Sequence, residues 1–562
     1  MAAVAALASS RKRNAVMSNP IHLPPVLRLA LIVVFAIWAL GTGINSATGI
    51  TGLDEYWHSM RTAIQSFELG AWWPPVLDGE LRVEKPPLLY WLMMLSFSAF
   101  GIEFWTARLP SLLLGLGFAF LVATLYSDLF RRSRLLPFLI ALSLLTIAVE
   151  SRRAMLDLPV ASCTVAALTA LFRQQRSPSS YWWVAAALAT AAGFYFKGPV
   201  ALWFIVTAVM AFRVVTRQSV KPALVWSTSI LALVLISLWP LLLSLSSPGW
   251  LDRLADDSAD REFGWPSLKN LQALIGGLAV ASLPWLVVLL RAGTRTTIEA
   301  KDRETTRALW LWIALALIPF LFFRTFERYL LPLAIPIVLL TSHVLDSHAP
   351  SRRFHLMSSV FITALPVVSL SVFVCWLAPT TFVVVATIVS VAMLSVASIC
   401  AWRRENIATV VLLISATTVT LGYLYPRLGV NSLPAEVISD FATGTGAHYA
   451  SPYPGTLSMV LGRSVPIIER DDRRALQDHA RKHGLLVLRR DDWRALQTTA
   501  QSANCLVKIE RRFAMWYSRG AFLSLGKPGL SKETSWDAIK NRDLNILQPE
   551  FVTARVSMRP IP

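Results

Sequence analysis

The sequence predicts an α-helical polytopic membrane protein ending in a small α/β domain outside the bilayer. Three observations predict it. Charged residues make up only 15% of the chain, hydrophobic residues 55%, and mean hydropathy is +0.53. An ordinary soluble protein carries about 25% charge. The apolar residues are gathered into runs of membrane-spanning length. After residue 425 of the 562 these runs stop and a polar composition takes over. A soluble globular enzyme and a disordered chain are both excluded.

The 53 Lys and Arg outnumber the 34 Asp and Glu, for a formal charge of +19. Most of the cations lie in short runs between apolar segments, as the positive-inside rule requires. A nucleic-acid partner would need a dense basic patch on a soluble domain, and none is expected. Cys163, Cys375, Cys400 and Cys505 are scattered, so no disulfide or zinc framework is visible. Arg11, Lys12 and Arg13 before the first apolar run read as a signal anchor.

Candidate spans cover 26–46, 108–126, 135–150, 158–172, 181–195, 199–215, 222–245, 271–291, 307–322, 329–345, 357–377, 380–402 and 407–425. The apolar stretch 86–100 decides the topology. If it crosses, Arg131, Arg132, Arg134, Arg173 and Arg176 fall outside. If it lies in the interface, every strong basic run falls inside. The segment is short, opens with Pro86-Pro87 and carries Tyr90 and Trp91, which are interface anchors. The second reading gives about thirteen crossings, a cytoplasmic tail over 1–25 and a transmembrane domain over 26–425. Its first outer loop is 47–107, and the C-terminus is external. That topology gathers Asp54, Glu55, Glu84, Lys85, Arg152, Arg153, Asp157, Lys197, Arg324, Glu327 and Arg328 on the outer face.

Residues 426–562 read as a small periplasmic α/β domain. Strands are expected at Val465–Arg470 and Leu485–Arg489, and helices at Asp472–Lys482 and Asp491–Thr499. From Lys527 onward the periodicity weakens and loose order is expected.

The first outer loop is the richest segment. Over 54–69, Tyr56, Met60, Ile64 and Phe67 fall on one helical face, which predicts an amphipathic helix on the membrane surface. Asp54 and Glu55 stand at its start. Two readings remain open for them: ordinary helix-start acids, or a general base or metal ligand facing a membrane-bound substrate. Lys85, after Glu84 and before Pro86-Pro87, either snorkels to headgroups or holds a lipid-linked phosphate. Arg152, Arg153 and Asp157 share a short turn, Lys197 stands alone in the next, and Arg324 and Arg328 flank another. Basic outer turns on one membrane face point to an anionic ligand there.

The motifs Asp54-Glu55, Glu84-Lys85-Pro86-Pro87 with Tyr90-Trp91, and Arg108-Leu109-Pro110-Ser111 resemble the protein mannosyltransferase-related glycosyltransferases. The nearest branch is the bacterial aminoarabinose transferases that modify lipid A. Met155-Leu156-Asp157, Lys197-Gly198, Ser282-Leu283-Pro284-Trp285 and Arg328-Tyr329-Leu330-Leu331-Pro332 follow in the same order. The resemblance covers residues 26–345. It implies a GT-C fold, a periplasmic active site and a polyprenyl-phosphate sugar donor. It also implies that Asp54 activates or orients the acceptor, that Asp157 is the second acid, and that Lys85 with Arg328 contacts phosphate while Glu84 accompanies Lys85. The loop 246–270 lacks the histidine that some lipid A transferases show there. His58 is a lone loop histidine, and a divalent metal stays an open option.

The expected activity is therefore sugar transfer at a bacterial inner membrane, from a polyprenyl phosphate to an envelope acceptor, with lipid A favoured. The catalytic set is Asp54, Glu55 and Asp157. The substrate-binding set is Glu84, Lys85, Arg153, Lys197, Arg324 and Arg328. Protein O-glycosyl transfer and envelope glycan polymerisation or ligation are enzymatic alternatives. A transporter or flippase is the non-enzymatic one, and it would need ionisable residues at the midplane and paired repeats.

Overall fold

The computed structural model describes residues 24–48, 54–176, 179–216, 222–259, 264–292, 302–322, 326–346, 351–516 and 529–560. Arg11 to Arg13 and Arg324 lie outside them. The molecule is a helical bundle topped by a small α/β unit, as its composition demands.

Seven helices among the described residues are long and apolar enough to cross a membrane. They include Phe104–Phe130, Arg352–Leu377 and Thr381–Trp402. The helix Leu88–Phe100 has 13 residues. At about 1.5 Å per residue it spans roughly 20 Å, short of the ~30 Å hydrocarbon core. Its length suits an interfacial helix.

Two expected spans are broken midway. The stretch 135–150 divides at Leu144, whose φ of −63° and ψ of 125° interrupt Leu135–Ser143 before Leu145–Glu150. The stretch 271–291 divides between Leu268–Ala281 and Leu286–Arg291. The two breaks satisfy each other. The Leu145 N–H donates to the Leu283 carbonyl at 3.1 Å, and the Trp285 indole donates to Ser143 Oγ at 2.8 Å. Polar backbone freed inside a membrane bundle needs such partners.

Between the first described helix, Pro25–Gly41, and Leu88–Phe100, a π-helical turn over Glu55–Met60 runs into Arg61–Glu68. Tyr56, Met60 and Ile64 are buried, and Phe67 packs beside them, so the predicted apolar face exists. It faces protein, however. It packs on Leu89, Met93 and Phe97 and against Met459 of the outer unit, so this helix is sandwiched and does not lie free on the membrane. A short hairpin of β1 (Val76–Leu77) and β2 (Glu80–Leu81) follows.

The turn carrying Arg153 and Asp157 is held close to the helix Phe104–Phe130 by Gly115. A Cβ there would lie 2.3 Å from Ser151 Oγ. A side chain there would have to displace the Ser151 hydroxyl and push on Leu158.

The outer unit is a five-stranded sheet in the order β4-β3-β5-β7-β6. Its strands are β3 (Gly446–Tyr449), β4 (Ile467–Ile468), β5 (Leu485–Arg489), β6 (Cys505–Ala514) and β7 (Glu550–Met558). β3 pairs in parallel with β4 and β5, whereas β7 runs antiparallel to β5 and β6. The expected strand at Val465–Arg470 is reduced to two residues, while Leu485–Arg489 has the expected bounds. The helices fall at Arg473–Arg481 and Trp493–Ser502. The expectation of loose order after Lys527 is corrected. Lys532–Lys540 is helical, and β7 sits inside the sheet with Phe551, Val552, Thr553 and Ala554 all buried. A strand covered on both faces has no alternation, which is why its periodicity is weak.

Candidate active site

Four of the singled-out charges form one chain of ion pairs. Arg328 leads from the 3₁₀ segment Glu327–Leu333, just before the helix Ala334–Asp346. Its Nη2 donates to Asp54 Oδ2 at 2.5 Å, and its Nε lies 3.8 Å from Asp157 Oδ2. Lys197, the last residue of the helix Ser180–Lys197, donates to the other oxygen of Asp157. Its ammonium also sits 4.0 Å from the Tyr329 ring centroid, a cation–π contact. The arrangement thus runs Asp54–Arg328–Asp157–Lys197, with Asp54 half-exposed and Asp157 buried.

Asp54 heads the π-helical turn, and the balance of forces on it has a definite sign. Burial alone would raise its pKa. The charge and hydrogen bond of Arg328 outweigh that, helped by His58 and Arg153, and hold the carboxyl below the usual aspartate range. His58, four positions on, is held below its ordinary value, first by desolvation and then by Arg82, with Arg61 and Lys85 adding to it. Arg82 and Lys85 are thus near enough to His58 to act on its charge.

Glu55 behaves differently. It is fully buried and accepts from Arg108 Nε at 2.8 Å, from Arg108 Nη2 at 3.3 Å and from the Ala154 N–H at 2.8 Å. Arg108 also donates to the Ile44 and Ser46 carbonyls at 2.7 and 2.6 Å and to Tyr56 Oη at 3.0 Å. Glu55 therefore clamps the loop to the bundle, and it holds the Arg153 turn through Ala154. Its acceptor sites are spent on protein donors.

Arg153 is buried and pairs with Glu150 through Nη1. Its Nε and Nη2 find no hydrogen-bond partner among the described residues. A buried guanidinium with unfilled donors is costly unless something fills them. Its neighbour Arg152 is fully engaged elsewhere, donating to the Ala39 and Thr42 carbonyls at 2.6 and 2.9 Å. Those carbonyls end the first helix, so Arg152 is a cap. Glu84 pairs with Arg82 at 3.0 Å, and Lys85 is half-buried next to them.

Arg108 enters from sequence only as part of a family motif with no role given to it, and Glu150 was not singled out. A lone arginine inside an apolar run is the signal for Arg108. Glu150 stands at the head of the quoted turn, where Arg153 masked it. Among the described residues, no three His, Cys, Asp or Glu side chains converge closely enough to hold a metal ion.

Aromatic side chains flank the site. Trp73 stands 5.1 Å from Trp239 and 6.3 Å from Trp91, between ring centroids, and Trp250 joins the same apolar cluster.

The site can now be set beside known proteins. Residues 84–240 match the family described as dolichyl-phosphate-mannose-protein mannosyltransferase. The chain is 27% identical over 313 residues to an undecaprenyl phosphate-alpha-4-amino-4-deoxy-L-arabinose arabinosyl transferase of Pseudomonas fluorescens, covering 51% of this chain and 54% of that one. It is 26% identical to the counterpart from Shewanella sediminis, over 54% of this chain and 58% of that one. The chain thus spans about half the length of these curated relatives. The crystal structure of ArnT from Cupriavidus metallidurans in the apo state aligns with a TM-score of 0.69 at 17% identity, over 94% of this chain and 97% of that one. Its undecaprenyl phosphate-bound form aligns with a TM-score of 0.68 at 18% identity, again over 94% and 97%. At that identity the likeness shows the fold, which is GT-C. The family resemblance read from the motifs is borne out.

Proposed function

We propose that this chain, a relative of the protein mannosyltransferases and aminoarabinose transferases, is an inner-membrane glycosyltransferase. It moves a sugar from a polyprenyl phosphate to an envelope acceptor, with lipid A as the acceptor that the motif resemblance favours. The observation that supports this most is the Asp54–Arg328–Asp157–Lys197 chain beside the unfilled donors of Arg153. It joins a cluster of cations to a carboxylate kept ionised.

The donor phosphate docks on Arg153, Lys85 and Arg328. As it takes Arg328, it withdraws that guanidinium from Asp54, and the carboxylate gains basicity at the moment it is needed. Asp54 accepts the proton of an acceptor hydroxyl, or orients an acceptor phosphate oxygen. That oxygen attacks the anomeric carbon and forms the new glycosidic bond. The bond from that carbon to the phosphate oxygen breaks, and its electron pair leaves with the polyprenyl phosphate. The cations stabilise the charge that develops on the leaving group. Single displacement inverts the anomeric carbon. Asp157, held by Lys197, keeps Arg328 in reach, and Glu84 does the same for Arg82 beside Lys85. Arg324 belongs to the proposed phosphate set by its place in the sequence. The Trp73, Trp91 and Trp239 cluster suits a prenyl chain or a sugar face.

The site and the outer sheet unit are periplasmic in this reading. The test is transfer from undecaprenyl-phosphate aminoarabinose to lipid A, followed by mass spectrometry. A folded protein that transfers nothing to lipid A, yet glycosylates protein hydroxyls, would replace the acceptor and keep the reaction. No transfer to any acceptor would overturn the enzyme.

A further inference from the structure

Part of the outer sheet unit is seated on the helical turn that carries Asp54. The Trp57 ring stands edge-on to Tyr453, with centroids 4.4 Å apart and planes at 85°. The Arg489 guanidinium covers Tyr453 at 5.5 Å, and the buried His448 places Nδ1 3.1 Å from the Tyr453 carbonyl. Below, Met459 packs with Tyr56, Met60 and Ile64, and the Ser464 N–H donates to Glu68 at 2.9 Å.

Gly455 lies at the closest approach. Its φ is outside the left-handed region, so the backbone does not demand glycine. Space does. An added Cβ would lie 2.7 Å from Trp57 Cδ1, 3.0 Å from Trp57 Nε1 and 3.0 Å from Tyr56 Cβ. Carbon atoms ordinarily touch at about 3.5–4.0 Å, so the ring and its turn would retreat by roughly 1 Å.

We propose that Gly455, Tyr453 and Trp57 form a seat through which the outer unit sets the position of the Asp54 carboxylate. They are positioning residues and touch no reacting atom. The inference rests on the sugar transfer proposed above. The turn is held at two points. Glu55 and Arg108 fix it to the bundle from below, and the seat fixes it from above. With both in place, Asp54, three residues before Trp57, has one position relative to Arg328. A misplacement of about 1 Å costs on the order of a hundredfold in rate.

The test uses the full chain in lipid vesicles with undecaprenyl-phosphate aminoarabinose and lipid A. Gly455→Ala should lower kcat about a hundredfold while the donor KM stays within about twofold. Gly444→Ala is the control, because a Cβ at Gly444 meets nothing within 4 Å. It should match the wild type. In a Trp57→Ala background, adding Gly455→Ala should cost less than about tenfold, since most of the clash is gone. A folded Gly455→Ala protein with wild-type kcat, or one altered only in KM, overturns the seat. So does a loss of rate that merely follows loss of folded protein. Hydrogen exchange reads the seat without activity: amides 54–60 should exchange faster in Gly455→Ala and not in Gly444→Ala. If the wild type transfers nothing but this exchange difference is present, the reaction is wrong and the seat stands. Unchanged exchange sinks the seat alone.

Discussion

At the scale of single residues, Asp54 and Glu55 are neighbours with opposite duties. The Asp54 carboxylate is half-exposed and held ionised, so Asp54→Asn should keep the fold and donor binding yet lower transfer by about 10²–10⁴-fold. Steady-state rates on matched folded protein check it. Arg328 sets the acid limb. While it pairs with Asp54, the carboxyl stays ionised to a pH below the usual aspartate value, and activity is lost only as pH falls through that lowered pKa. In Arg328→Met, burial acts unopposed by that partner and raises the Asp54 pKa. The acid limb of kcat/KM against pH, which reports the free enzyme where the pair is intact, should move to higher pH, and an unmoved limb would show that Asp54 is not the titrating group. Glu55→Gln should fail as a fold. Removing one charge of a buried pair costs about 3–5 kcal/mol. A lowered melting point with normal kcat in the surviving folded fraction is the expected result. The outer-loop charges were legible in the sequence because charge at a membrane face needs a reason. The duty of Glu55 was not, because its partner Arg108 lies 53 positions away and only packing brings them together.

At the scale of elements, the spans were legible in their apolar runs and their interruptions were not. Leu144 sits in a mostly apolar stretch with no Gly or Pro beside it, and nothing local demands a bend there. The bend exists because a second broken helix offers Trp285 and the Leu283 carbonyl at the same depth. Trp285→Phe removes the indole donor and leaves Ser143 Oγ to its bond with the Ile140 carbonyl. It should cost about 1 kcal/mol, the net worth of one hydrogen bond. Thermal unfolding in detergent should show a shift of a few degrees, with kcat unchanged.

At the scale of the whole molecule, the composition change after residue 425 marked the sheet unit, and the basic runs gave only an expectation of its side. The sheet order was hidden, because strand neighbours are chosen by three-dimensional packing. Sidedness has a direct check. With the four native cysteines replaced, a cysteine at the exposed Gly444 or Arg481 should react with a membrane-impermeant maleimide in intact spheroplasts. One at the exposed Arg404, in the turn before the helix Asn406–Val419, should react only after lysis. The reverse pattern would turn the site to the cytoplasm.

The sheet also carries a clock. β5 and β6 follow one another along the chain, yet they never touch. The strand that joins them, β7, leaves the ribosome after both. Until residues 550–558 are made, β6 has no neighbour and β5 has only β3. The outer unit therefore closes late in synthesis, when the bundle beneath it is already threaded through the membrane. A chain stalled before β7 would hold Asp54, Arg328 and Lys197 with the sheet above them open. The site proposed beneath the sheet is then covered only after β7 has emerged and paired with β5 and β6.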